Sequence, residues 1–378
     1  MTPKIYIIAG EASGDFLGSN LATALNKQRS DLMLRGIGGD LMNDAGVELL
    51  FHCDEISVMG LAEIIPHIRR IKRLIQQTID DICTFKPDVL VTIDSSGFCN
   101  RVIAGVIKRL DIPCVHYVAP PVWAWRPKRA KKLAQWGAVK HLMCLFPFEP
   151  PYFTVHGLPT TVVGHPVINM DWTSDESIYK TVGIDTDKKN ICLLPGSRRG
   201  EIKRHLATFA ETVKGLDVNI IVPTFAKFTA EIKTALPFAH IITDPELKRK
   251  AMILCDVALA ASGTVSLELA MAKTPMIIAY RASWITAVLL KYFLKISSVC
   301  LVNILLNKKV VLEYLQKSCN AKDLRLALIA MLDGKNPDGT PIEQTPELFD
   351  QVRQLLTPLG GKTPAEKAAE VVLSYVSK

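Results

Sequence analysis

The chain has no G-x-x-x-x-G-K-[ST] spacing, no G-x-G-x-x-G, no C-x-x-C pair and no histidine cluster at metal-ligand spacing. These absences argue against a P-loop, a dinucleotide fingerprint and a structural zinc module. No internal repeat or low-complexity tract interrupts it. The stretch "RASWITAVLLKYFLK" (281–295) is apolar enough to suggest a membrane span but is broken by Lys291 and Lys295, so it reads as an interfacial or core helix. The opening "MTPKIYIIAGEASG" has only a short apolar run that enters a glycine turn, which reads as a first strand and not a signal peptide. Nine scattered cysteines inside apolar runs read as buried thiols of a reducing compartment, and the expected location is cytoplasmic.

What remains is a globular chain of 378 residues, 49% hydrophobic and 22% charged, enough for two packed cores. Its net charge of +8 is unevenly spread. No acid falls between Glu63 and Asp80, between Asp111 and Glu149, or between Glu268 and Glu313, which points to an anionic partner.

Strand-like runs alternate with helical patterns, the signature of parallel sheets. A first series covers Ile5–Ala9, Val89–Ile93, Cys114–Val118, His141–Phe146 and Thr161–Val163, with helices expected over Asp15–Lys27 and Leu61–Ile82. After the polar break at "VGHPVINMDWTSDES", a second series covers Ile191–Leu194, Val218–Val222, His240–Thr243, Val257–Ala260 and Met276–Ala279. The expected architecture is α/β, two Rossmann-like domains facing a cleft, hinged near residue 168: 1–168, 169–363, and a surface helix in 364–378.

Two stretches carry chemistry. In "ICLLPGSRRGEIKRH" (191–205) a strand ends in Pro-Gly-Ser ahead of a helix, presenting free amides, a positive dipole end and the guanidinium forks of Arg198 and Arg199. That composition suits a phosphate, although an ordinary strand–helix turn with two surface arginines has the same form. In "ALAASGTVSLELAMAKTPMIIAY" (258–280) a strand runs into Ser262-Gly263-Thr264, and Glu268 follows one turn into a helix. Hydroxyls and amides suit a pyrophosphate, and the carboxylate suits a ribose; a simple helix cap is the alternative.

The chain resembles the lipid-A-disaccharide synthases, inverting glycosyltransferases of family 19 with the GT-B fold. The resemblance is carried in order by "AGEASGDFLG" (9–18), "VMGLAEI" (58–64), "HYVAPPVWAWRPKRAKK" (116–132), "FPFEPPYF" (146–153), "VGHPV" (163–167), "LLPGSRRGEI" (from 194), "ASGTVSLELAMAKTPMIIAYR" (261–281) and "LVNILLNKKVVLEYLQ" (301–316). It implies condensation of UDP-2,3-diacylglucosamine with 2,3-diacylglucosamine 1-phosphate, with the acceptor on the first domain, the donor on the second, and a homodimer. It places Arg198 on the donor phosphates, Ser262, Gly263, Thr264 and Glu268 on diphosphate and ribose, Asn303 and Gln316 in the donor pocket, and Glu11 and Ser13 at substrate. One departure stands out. The family shows I-D-x-P-D-F where this chain has "IDSSGF" (93–98), so the second acidic position is Gly97.

Inversion needs a base for the acceptor hydroxyl and a group to stabilise the departing diphosphate. Arg198 and helix N-termini are assigned the second task, so no metal and no cofactor are expected; the lone D-x-D, Asp185 to Asp187, lies in a polar turn. Asp94, at the end of a predicted strand, is the expected base or else a helix cap, with Glu11 and His116 in reserve. His52, His67 and His165 read as structural or exposed. In "LAEIIPHIRRIKRLIQQTI" Ile64, Ile68, Ile71 and Ile75 share a helical face away from Arg69, Arg70, Lys72 and Arg73, the pattern of a helix in a membrane interface. Together these place the enzyme peripherally on the cytoplasmic face of the inner membrane, against an anionic surface. Competing readings are a GT-B transferase or epimerase acting on another UDP-GlcNAc-type substrate, and a nucleic-acid binder, which lacks any supporting motif.

Overall fold

The computed structural model describes residues 2–56, 61–123, 128–282 and 298–376, with backbone alone for 61–68. Segment 58–60, part of the "VWAWR" motif and the run from 283 to 295 therefore lie outside the described residues.

The chain forms two compact units, residues 1–166 with 356–378, and residues 167–355. Unit 1 holds a parallel sheet of β1 (Lys4–Ala9), β2 (Met33–Gly38), β3 (Glu48–His52), β4 (Val89–Ile93), β5 (Cys114–Tyr117), β6 (Val139–Cys144) and β7 (Thr160–Val162), in the order β3-β2-β1-β4-β5-β6-β7. Unit 2 holds β8 (Asn190–Leu194), β9 (Asn219–Pro223), β10 (His240–Ile242), β11 (Val257–Ala260), β12 (Met276–Tyr280) and β13 (Leu312–Leu315), in the order β10-β9-β8-β11-β12-β13, again parallel. Each order reverses direction once, between β1 and β4 and between β8 and β11. Open parallel sheets bind ligands beyond the carboxyl ends of the strands at that reversal.

The central strands were legible because both faces are covered, which makes them continuous apolar runs; every residue of β4 and β8 is buried. Missing from the sequence reading are β2, β3 and β13. The run "MLRGIG" of β2 carries an arginine and two glycines, and β3 and β13 are edge strands with no fully buried residue.

Helices α1 (Ala12–Gln28), α2 (Asp40–Asp44), α3 (Leu61–Phe85), α4 (Ser96–Val106) and α5 (Lys128–Trp136) serve unit 1. In α3, Leu74, Ile79 and Ile82 are core residues, and Ile71 and Ile75 pack against that core. The interfacial expectation for this face is thereby corrected from residue 71 onward: Ile71 and Ile75 are partly buried against the core of unit 1, which removes apolar area from water without a membrane. Ile64 and Ile68 fall where side chains are not described. Arg69, Arg70, Lys72 and Arg73 are exposed, with Arg70 paired to Glu55.

The chain returns to unit 1 at Leu356, and its last helix, Pro364–Leu373, packs on α1. Thr363 and Glu366 reciprocally cap that helix, with Pro364 in its first turn. All nine cysteines are free, and all but Cys83 are buried.

Candidate active site

In unit 2 the two phosphate-like turns leave neighbouring strands. Leu194 pairs with Ala260, and the N–H of Ala261 donates to the carbonyl of Leu194 at 2.8 Å, so "PGSR" and "SGT" emerge side by side at the sheet reversal. Gly196 has φ +133°, a conformation reserved for glycine, and a Cβ there would strike Glu201. Arg198 is the N-cap residue of the 199–213 helix. A guanidinium has no acceptor, so the capping is one-sided: the Glu201 carboxylate takes the N–H of Ser197 at 3.1 Å and of Arg198 at 3.3 Å. Arg199 and Gly200 N–H groups have no acceptor among the described residues. The expectation that the whole helix terminus is open is corrected accordingly, because a carboxylate of the chain already fills part of it.

Gly263 and Thr264 are exposed and their N–H groups have no acceptor among the described residues, whereas Ser262 donates its hydroxyl to the carbonyl of Val299 at 2.9 Å. Glu268 lies within electrostatic reach of Arg249 and Lys248; burial raises its carboxyl above the usual range, against the pull of those two cations. Gln316 follows β13 at the same edge, with φ +53° and its N–H on the carbonyl of Tyr280 at 3.0 Å. Asn303 is different. Its buried amide accepts from the N–H of Val310 and Val311 and donates to the carbonyl of Val311 at 2.9 Å, which leaves it acting as a backbone clamp. The D-x-D lies before β8, at the amino edge of the sheet, where Asp187 N–H donates to Asp185 in a local turn.

Sequence reading missed His205. It is fully buried in the 199–213 helix and stacks near Tyr280 and Phe209. Its ring bonds both the Pro195 carbonyl and the Arg281 N–H.

In unit 1 the loops after β1 and β4 meet in the same way, with Ala9 paired to Ile93. A Cβ on Gly10 would collide with Ser95 Oγ, so glycine is what lets the two loops touch. This places Glu11 and Ser13, both exposed at the start of α1, on the loop beside Asp94. Asp94 is exposed and its carboxylate makes no hydrogen bond among the described residues. Asp94 at φ +46°, Ser95 at φ +39° and Val118 at φ +77° hold left-handed backbone at this edge, conformations that cost energy and concentrate at functional sites. The N-cap of α4 is Ser95, without a side-chain bond, so Asp94 does not act as its cap.

Reserve base His116 is buried, bonded through Nδ1 to Thr92 Oγ1 at 2.7 Å, and burial pushes its pKa down to about 4. A ring that weakly basic is a poor proton acceptor at neutral pH. Asp15, unassigned from sequence, is a buried bracket: its carboxylate takes the N–H of Gly39 at 2.7 Å and of Met42 at 3.1 Å. His52, Cys53 and Asp54 do come within 4.8 Å of one another, a grouping not read from spacing. Burial pushes the Cys53 thiol up to about 11, and the N–H of Asp54 donates to His52 Nδ1 at 3.3 Å in a local turn.

A family model described as lipid-A-disaccharide synthetase matches residues 5–354. This chain belongs to the lipid-A-disaccharide synthase family. It is therefore a glycosyltransferase. The lipid-A-disaccharide synthase of Paramagnetospirillum magneticum is 40% identical over 388 residues, covering 98% of this chain and 97% of the relative. That of Rickettsia bellii is 41% identical over 331 residues, covering 84% and 86%. Among solved structures, a UDP-GlcNAc 2-epimerase from Neisseria meningitidis bound to UDP-GlcNAc has TM-score 0.62 at 12% identity, covering 98% of each chain. MurG of Acinetobacter baumannii has TM-score 0.57 at 13% identity, covering 98% and 99%. Likeness at that identity speaks for the fold alone, and the fold of this lipid-A-disaccharide synthase family member is GT-B. Among its described residues no helix is long and apolar enough to cross a membrane.

Proposed function

We propose that the enzyme condenses UDP-2,3-diacylglucosamine with 2,3-diacylglucosamine 1-phosphate, giving the β-1,6-linked disaccharide 1-phosphate and UDP with inversion and without a metal. The observation that carries the donor half is the emergence of the "PGSR" and "SGT" turns from the adjacent strands β8 and β11. Because Glu201 occupies the amides of Ser197 and Arg198, the departing diphosphate is served by the Arg198 guanidinium and by the N–H groups of Arg199 and Gly200. Gly263 and Thr264 hold the diphosphate from the other side, and Glu268 accepts from the ribose. Gln316 closes the pocket edge, and Asn303 supports it by fixing residues 310–311. Asp94 takes the proton of the acceptor hydroxyl, with Glu11 and Ser13 ordering the acceptor beside it.

The test supplies both acylated substrates and follows disaccharide formation by mass spectrometry, with UDP-GlcNAc alone as a parallel substrate. Disaccharide and UDP in equal amounts are expected. Epimerisation of UDP-GlcNAc without disaccharide would replace this reading by its rival.

The exposed cations Arg69, Lys72 and Arg73 on α3 support peripheral binding to the anionic cytoplasmic face of the inner membrane. Each such charge near an anionic leaflet is worth about 1 kcal/mol. Arg69→Glu with Arg73→Glu should weaken flotation with phosphatidylglycerol vesicles, as should high salt. Undiminished flotation would reduce these residues to a solvated surface.

A further inference from the structure

Beyond the strand ends that hold Asp94, unit 1 contains a cavity of about 500 Å³. Arg129, Lys132 and Trp136 reach it from α5, at spacings of three and four that place them on one helix face. Arg101 reaches it from α4 and His116 from β5; among the described residues no carboxylate lines it. The floor is the first turn of α4, where the N–H groups of Ser96 and Gly97 have no acceptor among the described residues and the Ser95 side chain supplies no cap. His116 is buried yet lines the space, with its Nε2 lacking a hydrogen-bond partner among the described residues. Cationic side chains, open amides and a helix N-terminus converging on one concavity are the chemistry that recognises a phosphomonoester.

Gly97 strengthens the case. A Cβ at this position would have only the Arg101 Nη1, 3.9 Å away, within 4 Å. Arg101 Nη1 donates to the carbonyl of Gly97, which anchors the guanidinium at the α4 floor; an acidic side chain at position 97 would compete for its remaining N–H groups, which glycine leaves for a ligand. We propose that this cavity seats the anomeric phosphate of the acceptor, held by Arg101, Arg129, Lys132 and the amides of Ser96 and Gly97, with Trp136 walling the sugar. The inference rests on the reaction proposed above and names its acceptor subsite.

A phospholipid headgroup offers the same phosphate chemistry, so the experiment separates the two sources. Arg101→Gln with Lys132→Gln is compared with wild type on the acceptor and on the same diacylglucosamine without its phosphate. Loss of two charge-assisted contacts should raise the acceptor KM by about 100-fold. The donor KM and the kcat/KM for the phosphate-free acceptor should hold, so the preference for the phosphorylated acceptor collapses. Lys132→Arg, which keeps the charge, should retain most of that preference. A preference that survives the double substitution, or a donor KM that rises in parallel, overturns the assignment. Binding of glucosamine 1-phosphate, read by phosphorus NMR, should be lost in the double variant. Loss of binding to phosphatidic acid vesicles with glucosamine 1-phosphate binding intact overturns it in favour of a lipid headgroup. If wild type forms no disaccharide but binds glucosamine 1-phosphate through Arg101 and Lys132, the proposed reaction fails while the phosphate site stands.

Discussion

The ring of His205 ties together the loops that follow β8 and β12: its Nδ1 meets the carbonyl of Pro195 at 3.1 Å, and its Nε2 accepts the N–H of Arg281 at 2.9 Å. Since Arg281 can only donate there, the neutral ring must carry its proton on Nδ1, and burial, which lowers its pKa, keeps it neutral. The Pro195-Gly196 turn is thus held by a side chain inside the helix that follows it.

Replacing His205 by phenylalanine keeps an aromatic ring but strands a buried carbonyl and a buried N–H. We expect a loss of about 2–4 kcal/mol in stability and a raised KM for the UDP-sugar, with His205→Gln intermediate. Urea unfolding and steady-state kinetics check this. A phenylalanine variant as stable and as tight for donor as wild type would show that the two bonds are incidental.

Arg198→Ala should lower turnover by about 100-fold or more, the usual consequence of losing one strong donor to a charge that develops in the transition state. Chelation by EDTA should leave the rate unchanged if, as proposed, the leaving group is served by the guanidinium and amides. Restoration of a chelated enzyme by one divalent ion would contradict the metal-free assignment.

Asp94→Asn is the discriminating change at the proposed base. Asparagine tolerates left-handed backbone as aspartate does, so the +46° φ is kept while the proton acceptor is removed. Turnover should fall by about 100-fold or more with an unchanged melting temperature. Full activity in a folded variant would pass the role of base to Glu11.

His116 and Glu149 should act on stability in opposite directions over overlapping pH ranges. Burial lowers His116 to about 4, so its contribution is present above the unfolded value near 6.5 and is lost as pH falls toward 4. Burial raises Glu149 to about 7 despite N–H bonds from Leu145 and Phe146 at 3.0 Å, so its contribution is present below about 4.5 and is lost as pH rises toward 7. Each effect is worth about 3 kcal/mol. Burial also lowers His165 to about 4, which adds a second loss as pH falls, so wild-type stability should decline toward pH 4.5. Relative to that profile, His116→Gln should decline less at low pH and Glu149→Gln should decline more. Urea midpoints from pH 4.5 to 7.5 would refute this if all three profiles ran parallel.

The sequence by itself determined what local physics can express. Strands buried on both faces had to be continuous apolar runs, so β4, β8 and β11 announced themselves, as did the Pro195-Gly196 turn, whose backbone only glycine accepts. The alternation of such runs with amphipathic helices dictated two parallel sheets. Strand-end positions then marked Asp94 and Arg198 as candidates.

Tertiary structure decided whatever depends on a distant partner. Asp15 has the look of an exposed first-turn acid until Gly39 and Met42 are brought to it, and His205 has no purpose until Arg281 arrives. Ile71 and Ile75 form an apolar stripe that suits a bilayer as well as a core, since periodicity records that a face is buried but not against what; only the packing of α3 on the core of unit 1 settles it. The cavity of Arg101, Arg129 and Lys132 belongs to the same class. Its cations come from two helices separated by a strand, and a convergence of charge across elements is a property of the fold rather than of any segment of the chain.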